Sequence, residues 1–413
     1  MYRRHTNFSI EAIEQTFQGT ADFGKKVTCT ISRNGDLINH IYLQVQFPAL
    51  SIESVYQAAA TQPASVAWTN SLGHALIREV SIEIGGQKID KHYGEWLEIW
   101  DELTQVAEKR NGYNHMVGKY ATSVGLIGNA ASSRIYYIPL MFWFNRNPGL
   151  SLPLIALQYH EVKLLVEFRT SAELIVGLTA AGDRDQASNT TSIRDSSGVS
   201  LVNASFWVDY VYLDTEERRR FAQMAHEYLI DQLQYSGPES ITLDQVSQKK
   251  RINYNHPVKE LIWTVSREEN FSMGTAYNDW FNYSAALPGT PTPSDATDLM
   301  ADALIRLNGH DRFSLRPQTY FRLVQPYQHH TRIPEKHIYV YSFGLRPEEH
   351  QPSGTVNMSR IDNAELVMDL VSTANLPAPA SQWVNKPGRI SIWAPNYNVL
   401  RVMSGMGGLA YSN

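Results

Sequence analysis

Hydrophobic and polar positions alternate in short runs along most of the chain, and turn chemistry separates the runs. Residues 26–32 ("KVTCTIS") alternate, Asn34-Gly35 follows, and 37–47 ("LINHIYLQVQF") alternate again. Two alternating runs across Asn-Gly predict a β-hairpin. The stretch 80–90 ("VSIEIGGQKID") predicts a second, turning at Gly85-Gly86. Strand-like runs continue at 161–168, 205–213, 260–266, 304–313, 337–343, 365–371 and 389–395. One segment departs from the period of two. In 214–234 ("DTEERRRFAQMAHEYLIDQLQ"), Phe221, Met224, Ala225, Tyr228, Leu229 and Leu233 fall at three/four spacing. That spacing predicts a helix, with Asp214 as its cap and Glu217 completing a capping box.

The runs before and after this segment resemble each other. Residues 36–45 ("DLINHIYLQV") match 256–265 ("HPVKELIWTV"), and 82–99 match 305–323 as a hairpin followed by a short aromatic helix. Residues 134–168 match 337–370 as two strands with a long loop between. The chain therefore reads as all-β: two consecutive eight-stranded antiparallel β-sandwiches, a double jelly roll with short helices in its loops. The first jelly roll covers 1–213, a linking helix 214–234, and the second jelly roll 235–413.

Composition narrows the function. The 413 residues are 43% hydrophobic and 11% aromatic, enough for two cores. The formal charge of −5 argues against direct nucleic-acid binding. Cys29 is the only cysteine, so no intrachain disulfide or cysteine-based metal site can form. The most apolar stretch, 136–144 ("YYIPLMFWF"), is far short of the ~20 residues of a membrane-spanning helix and reads as a strand. Residues 1–15 lack the apolar core of a signal peptide.

The densest chemistry lies in 341–363 ("YSFGLRPEEHQPSGTVNMSRIDN"), between two strand-like runs. Glu348, Glu349 and His350 are consecutive, so their side chains diverge in an extended loop, whereas acid–base catalysis needs convergence. The matching first-half loop, 145–160, is nearly free of charged groups. Both points make the loop structural. Pro347 and Pro352 stiffen it, Ser353-Gly354 turns it, and Arg360 and Asp362 can pair or hold neighbouring backbone. Residues 19–26 ("GTADFGKK") fail as a phosphate loop, because Lys26 replaces the hydroxyl residue and a strand follows. "GMGGLA" (405–410) has no helix after it and reads as a flexible or close-packed segment. His329-His330 reads as an exposed loop pair, and Arg218-Arg219-Arg220 as a solvated face with local ion pairs. No catalytic residue, cofactor or metal site is predicted. Of the Asn-x-Ser/Thr sequons, Asn189, Asn282 and Asn270 are the candidates for glycans, with Asn189 and Asn282 in polar, loop-like segments.

Several of these stretches carry a family resemblance. "YRRHTNFSIEAIEQ", "ISRNGDLI", "IEIGGQKIDKHY", "LPLIALQYHEVKL", "WVDYVYLDTEERRRFAQ", "LNGHDRF", "QPSGTVNMSRIDNAEL" and "NYNVLRVMSGMGGLAY" occur in order from residue 2 to residue 412. Together they resemble the major capsid proteins of nucleocytoplasmic large DNA viruses, in their algal-virus branch. The resemblance implies a homotrimeric capsomer of pseudo-hexagonal outline and an icosahedral shell, built in the host cytoplasm over an internal membrane that it does not span. It implies neighbouring capsomers and minor capsid and penton proteins as partners, no cofactor and no enzyme activity. It also implies an N-terminal arm ahead of Tyr2, where this sequence has Met1. Val356 and Met358 stand where relatives commonly carry Cys and Phe. Segments 51–70, 181–200 and 285–300 match no family stretch and are expected to be exposed loops. A carbohydrate-binding double β-sandwich, or a minor capsid paralogue, is the alternative reading.

Overall fold

A computed structural model describes residues 6–411 except 56–62, 181, 183–197, 272–277, 287–296, 378–380 and 382. Its first unit is built from strands β1 (Phe8–Gln15), β2 (Lys26–Thr30), β3 (Leu37–Phe47), β4 (Ile77–Ile84), β5 (Gln87–Tyr93), β6 (Arg134–Pro139), β7 (Val162–Phe168) and β8 (Asn203–Leu213). The second is built from β9 (His226–Tyr235), β10 (Ser247–Ile252), β11 (Glu260–Arg267), β12 (Met300–Leu307), β13 (His310–Asp311), β14 (Tyr339–Ser342), β15 (Ala364–Leu370) and β16 (Pro387–Met403). In the first unit the sheets run β1-β8-β3-β6 and β2-β7-β4-β5. In the second they run β9-β16-β11-β14 and β10-β15-β12-β13. Adding eight to each strand of the first unit reproduces the second, and every pairing is antiparallel. This is a jelly roll made twice, and the duplication seen in sequence is a duplication of hydrogen-bonding topology.

Alternation explains the layers. In β3, Leu43, Val45 and Phe47 point into the sandwich, while Tyr42, Gln44 and Gln46 stay partly exposed. In β11 both faces are buried over all eight residues, because its outer face lies against the first unit. The β4–β5 hairpin turns at Gly85-Gly86 as expected, and both glycines have positive φ, 59° and 82°. A two-residue turn with both residues left-handed is the type I′ geometry. Helix α1 (Gly94–Thr104) follows, then α2 (Ala107–Val117) and α3 (Ser123–Ala130).

Four expectations are corrected. Asn34-Gly35 does not close a hairpin: β2 pairs with β7 and β3 with β8, in opposite sheets. Neither residue has positive φ. The segment instead crosses the sandwich edge, and Gly35 is needed because a Cβ there would lie 2.8 Å from Tyr210 Cβ. The helix expected over 214–234 is α4, Thr215–Gln223, capped by Asp214 as predicted but with no buried residue. From His226 the chain is strand β9, in ten-residue register with β16; its three/four spacing coexists with β-favouring Tyr228 and Ile230, and the open sheet edge decides. The apolar run 136–144 is strand only to Pro139, then turns into a helical turn at Trp143–Arg146. Finally, Ser65–Trp68, expected as exposed loop, pairs with Ile175–Leu178, and Trp68 is buried.

Candidate functional site

The loop between β14 and β15 is held by its own polar groups. Glu348 Oε1 lies 2.8 Å from His330 Nδ1 and accepts from the Thr331 amide at 2.8 Å. His330 Nε2 lies 2.8 Å from Glu260 Oε2 on β11. The His330 ring and the Glu260 carboxylate are fully buried. Burial alone lowers an imidazole pKa, but the Glu260 and Glu348 carboxylates outweigh it and push His330 up to about 9. Burial works to raise Glu348, and the bonds from His330 and Thr331 hold it below the usual carboxylate range. His330 is therefore an imidazolium clamped between two carboxylates at neutral pH. The expectation of an exposed histidine pair is corrected for His330: the chain folds back over it.

The neighbouring groups diverge. Glu349 pairs with Arg346 at 2.9 Å, and the His350 carbonyl accepts from Tyr397. Ser353 Oγ accepts from the Arg346 amide, and Ser359 Oγ from the His256 amide. Asp362 does not hold neighbouring backbone through these bonds; its own backbone is held, its amide donating to Asn308 Oδ1 and its carbonyl accepting from Arg251. These are fasteners, each aimed at a different part of the fold.

A second charged cluster joins the two units. Ten residues of α1, Gly94–Leu103, are buried, yet the helix carries Glu95, Glu98, Asp101 and Glu102. Glu98 meets His74 at 2.6 Å, Lys119 at 2.9 Å and Lys336 at 2.6 Å. Glu102 meets Lys119 at 2.6 Å and Arg332 at 3.2 Å, while Glu95 meets Arg389 at 2.9 Å. Lys336, Arg332 and Arg389 come from the second unit. Burial pushes the carboxyls of Glu98, Asp101 and Glu102 up. Lys119 and Lys336 reverse that for Glu98, held well below the usual range, and for Glu102, held below it. Burial prevails for Asp101, which is raised. Buried carboxylates with perturbed protonation can mark an active site. Here they are sealed under cations rather than open to a cleft, which is the chemistry of a clamp. Among the described residues no group of three or more His, Cys, Asp or Glu is placed to hold a metal. No helix among them is long and apolar enough to cross a membrane.

The glycan candidates divide. Asn189 lies outside the described residues. Asn270 and Asn282 are corrected: both are fully buried. Asn282 Nδ2, the atom a glycan would modify, donates to Asp279, and Asn270 Nδ2 donates to the Asn282 carbonyl. Local polarity gave no sign of this burial, although the buried Phe271, Trp280 and Phe281 are their neighbours in sequence. The α1 carboxylates went unnoticed in the sequence, although acids at 95, 98 and 102 in an aromatic helix form one stripe, a readable signal.

Comparison with known proteins decides the family. Residues 1–214 match the family model "Major capsid protein N-terminus", and 217–408 match "Large eukaryotic DNA virus major capsid protein". The chain belongs to the major capsid proteins of large eukaryotic DNA viruses. The major capsid protein of Pyramimonas orientalis virus is 48% identical, covering 100% of this chain and 93% of that one. That of Paramecium bursaria Chlorella virus 1 is 40% identical, again over 100% and 93%. A quasi-atomic model of the PBCV-1 virus capsid aligns with TM-score 0.78 and 35% identity, covering 100% of this chain and 99% of that one. The Faustovirus major capsid protein, 14% identical with TM-score 0.73 over 98% and 92%, shares the fold.

Proposed function

We propose that the chain is the shell subunit of a large double-stranded DNA virus. It self-assembles as a homotrimer of nearly hexagonal outline that tiles an icosahedral capsid. The observation that carries this is the repeated topology, β1-β8-β3-β6 against β9-β16-β11-β14. Two like units in one chain, taken three times around an axis, give six like walls, and head-to-tail contacts close such a ring. The first unit is residues 1–213 and α4 lies at the junction. Its partners are its own copies, neighbouring capsomers, and minor capsid and penton proteins. It binds no cofactor and catalyses no reaction; it is assembled in the host cytoplasm, over a membrane that it does not span. Of the three glycan candidates, Asn189 is the one retained.

Light scattering on gel-filtered protein at micromolar concentration tests the reading. The expected mass is about 140 kDa, three times 46.8 kDa. A stable folded monomer overturns the capsomer.

A further inference from the structure

The two units are alike in topology but not in what covers them. In the second unit, Ile262 on β11 lies opposite Trp393 on β16 and Val340 on β14. All three are fully buried, and they pack with the core of the first unit rather than with that of their own sandwich. The first unit receives them on β5 and α1: Tyr235 meets Tyr93 edge-on at 4.9 Å, and Arg389 reaches Glu95.

The same positions in the first unit are Tyr42 on β3, opposite Trp207 on β8 and Pro139 on β6. Unlike their counterparts they are not buried among the described residues: Tyr42, Trp207 and Pro139 all stay partly exposed. Tyr42 and Trp207 stack at 6.4 Å, Tyr137 joins edge-on at 5.9 Å, and Ile10 on β1 extends the face at 53% exposure. A concavity of about 680 Å³ lies beside Tyr42 and Tyr137, lined also by Met141, Trp100, Met116 and Glu348. The receiving elements are equally unmatched. α1 is buried along its length, whereas the helical segment after β13, Tyr320–His329, exposes Leu323, Val324 and Tyr327, the last at 77%. Charge agrees: Glu14 lies opposite Trp207 on the sheet face, and Arg316 lies over the Tyr320 ring at 4.2 Å.

We propose that the outer face of β1-β8-β3-β6 docks on the 320–329 segment of a second copy of this chain. The contact repeats, between chains, the one that β9-β16-β11-β14 makes on β5 and α1 within a chain. Each chain offers one face of each kind, so the contact is head-to-tail and the two faces of one chain never meet each other. The inference rests on the ring assembly proposed above and names the surfaces that form it. Two such half-buried aromatic and aliphatic faces match the apolar centre of a stable interface.

Two double variants test it by light scattering and thermal melting: Tyr42→Glu with Trp207→Glu, and Leu323→Asp with Tyr327→Asp. The wild-type mass reads the trimer independently of the surfaces. With a trimeric wild type, each variant is expected to fall roughly threefold in mass, while the exposed Leu323/Tyr327 pair keeps the wild-type melting profile of the dissociated chain. A trimeric wild type whose Leu323/Tyr327 variant also remains trimeric overturns the docking. Loss of the trimer in the sheet variant alone points to sheet-on-sheet pairing and overturns it as well.

Discussion

Replacing His330 with Gln isolates the charge that joins Glu260 to Glu348. A pKa raised from 6.5 to about 9 corresponds to about 3 kcal/mol, at about 1.4 kcal/mol per tenfold change in proton affinity. Breaking a buried pair by removing one partner costs about 3–5 kcal/mol, because the other charge stays buried alone; here that charge is Glu260. The two routes agree. The sign follows from the raised pKa: the stabilisation is complete below about 6.5 and fades as pH rises through about 9. Glu348, held low, adds a contribution present above its ordinary 4.5 and lost in acid. Urea unfolding of wild type and His330→Gln between about pH 6 and pH 10 measures the difference. The wild type is expected to lead by about 3 kcal/mol at the acid end and by almost nothing at the alkaline end. Tyrosine and lysine titration is common to both chains and cancels. A lead that is constant across the range refutes the imidazolium clamp.

Ile230→Asp places an unpaired carboxylate at a fully buried position of β9 and is expected to cost several kcal/mol, read as loss of soluble protein or a lower urea midpoint; an unchanged midpoint would mean that β9 is peripheral. Glu349→Ala and His350→Ala are expected to leave stability within about 0.5 kcal/mol, since Glu349 only pairs on the surface with Arg346, and a melting curve checks both. Peptide mapping of virion protein is expected to find Asn270 and Asn282 unmodified, with any sequon glycan elsewhere. Cys29 is fully buried, and burial pushes its thiol up to about 11, so a thiol reagent at about pH 8 should react only after unfolding; rapid native labelling would contradict the packing of β2 on β7.

Strands and their duplication were legible because a period of two survives any arrangement of the sheets. The Gly85-Gly86 turn was legible because both residues can take positive φ. Asn34-Gly35 offered the same signal, yet which sheet a strand joins depends on partners far along the chain, Leu164 for Cys29 and Phe206 for Leu43. The 214–234 segment satisfied both periods at once, and only the pairing of β9 with β16 separated them. The divergence of Glu348, Glu349 and His350 followed from adjacency alone. The burial of His330 did not, since it depends on Glu260, seventy positions earlier, being on the covered face of β11.

β16 is one strand shared by many partners: β9, residues 239–242, β11 and residues 406–409 all hydrogen-bond to it. During synthesis this sets an order. The first sandwich has its last strand, β8, by residue 213, and can close while the ribosome is still at work. β9 and β11 must wait for residues 387–403, and pairing across such a span is slow and exposes strand edges meanwhile. The acids of α1 wait too, for Lys336 and Arg389, so the early half matures only when the late half arrives. A ribosome that stalls before residue 387 thus leaves a closed first half whose Glu95 lacks Arg389, and a second half whose sheet β9-β16-β11-β14 lacks its shared strand. That is a form quality control can tell from the finished subunit.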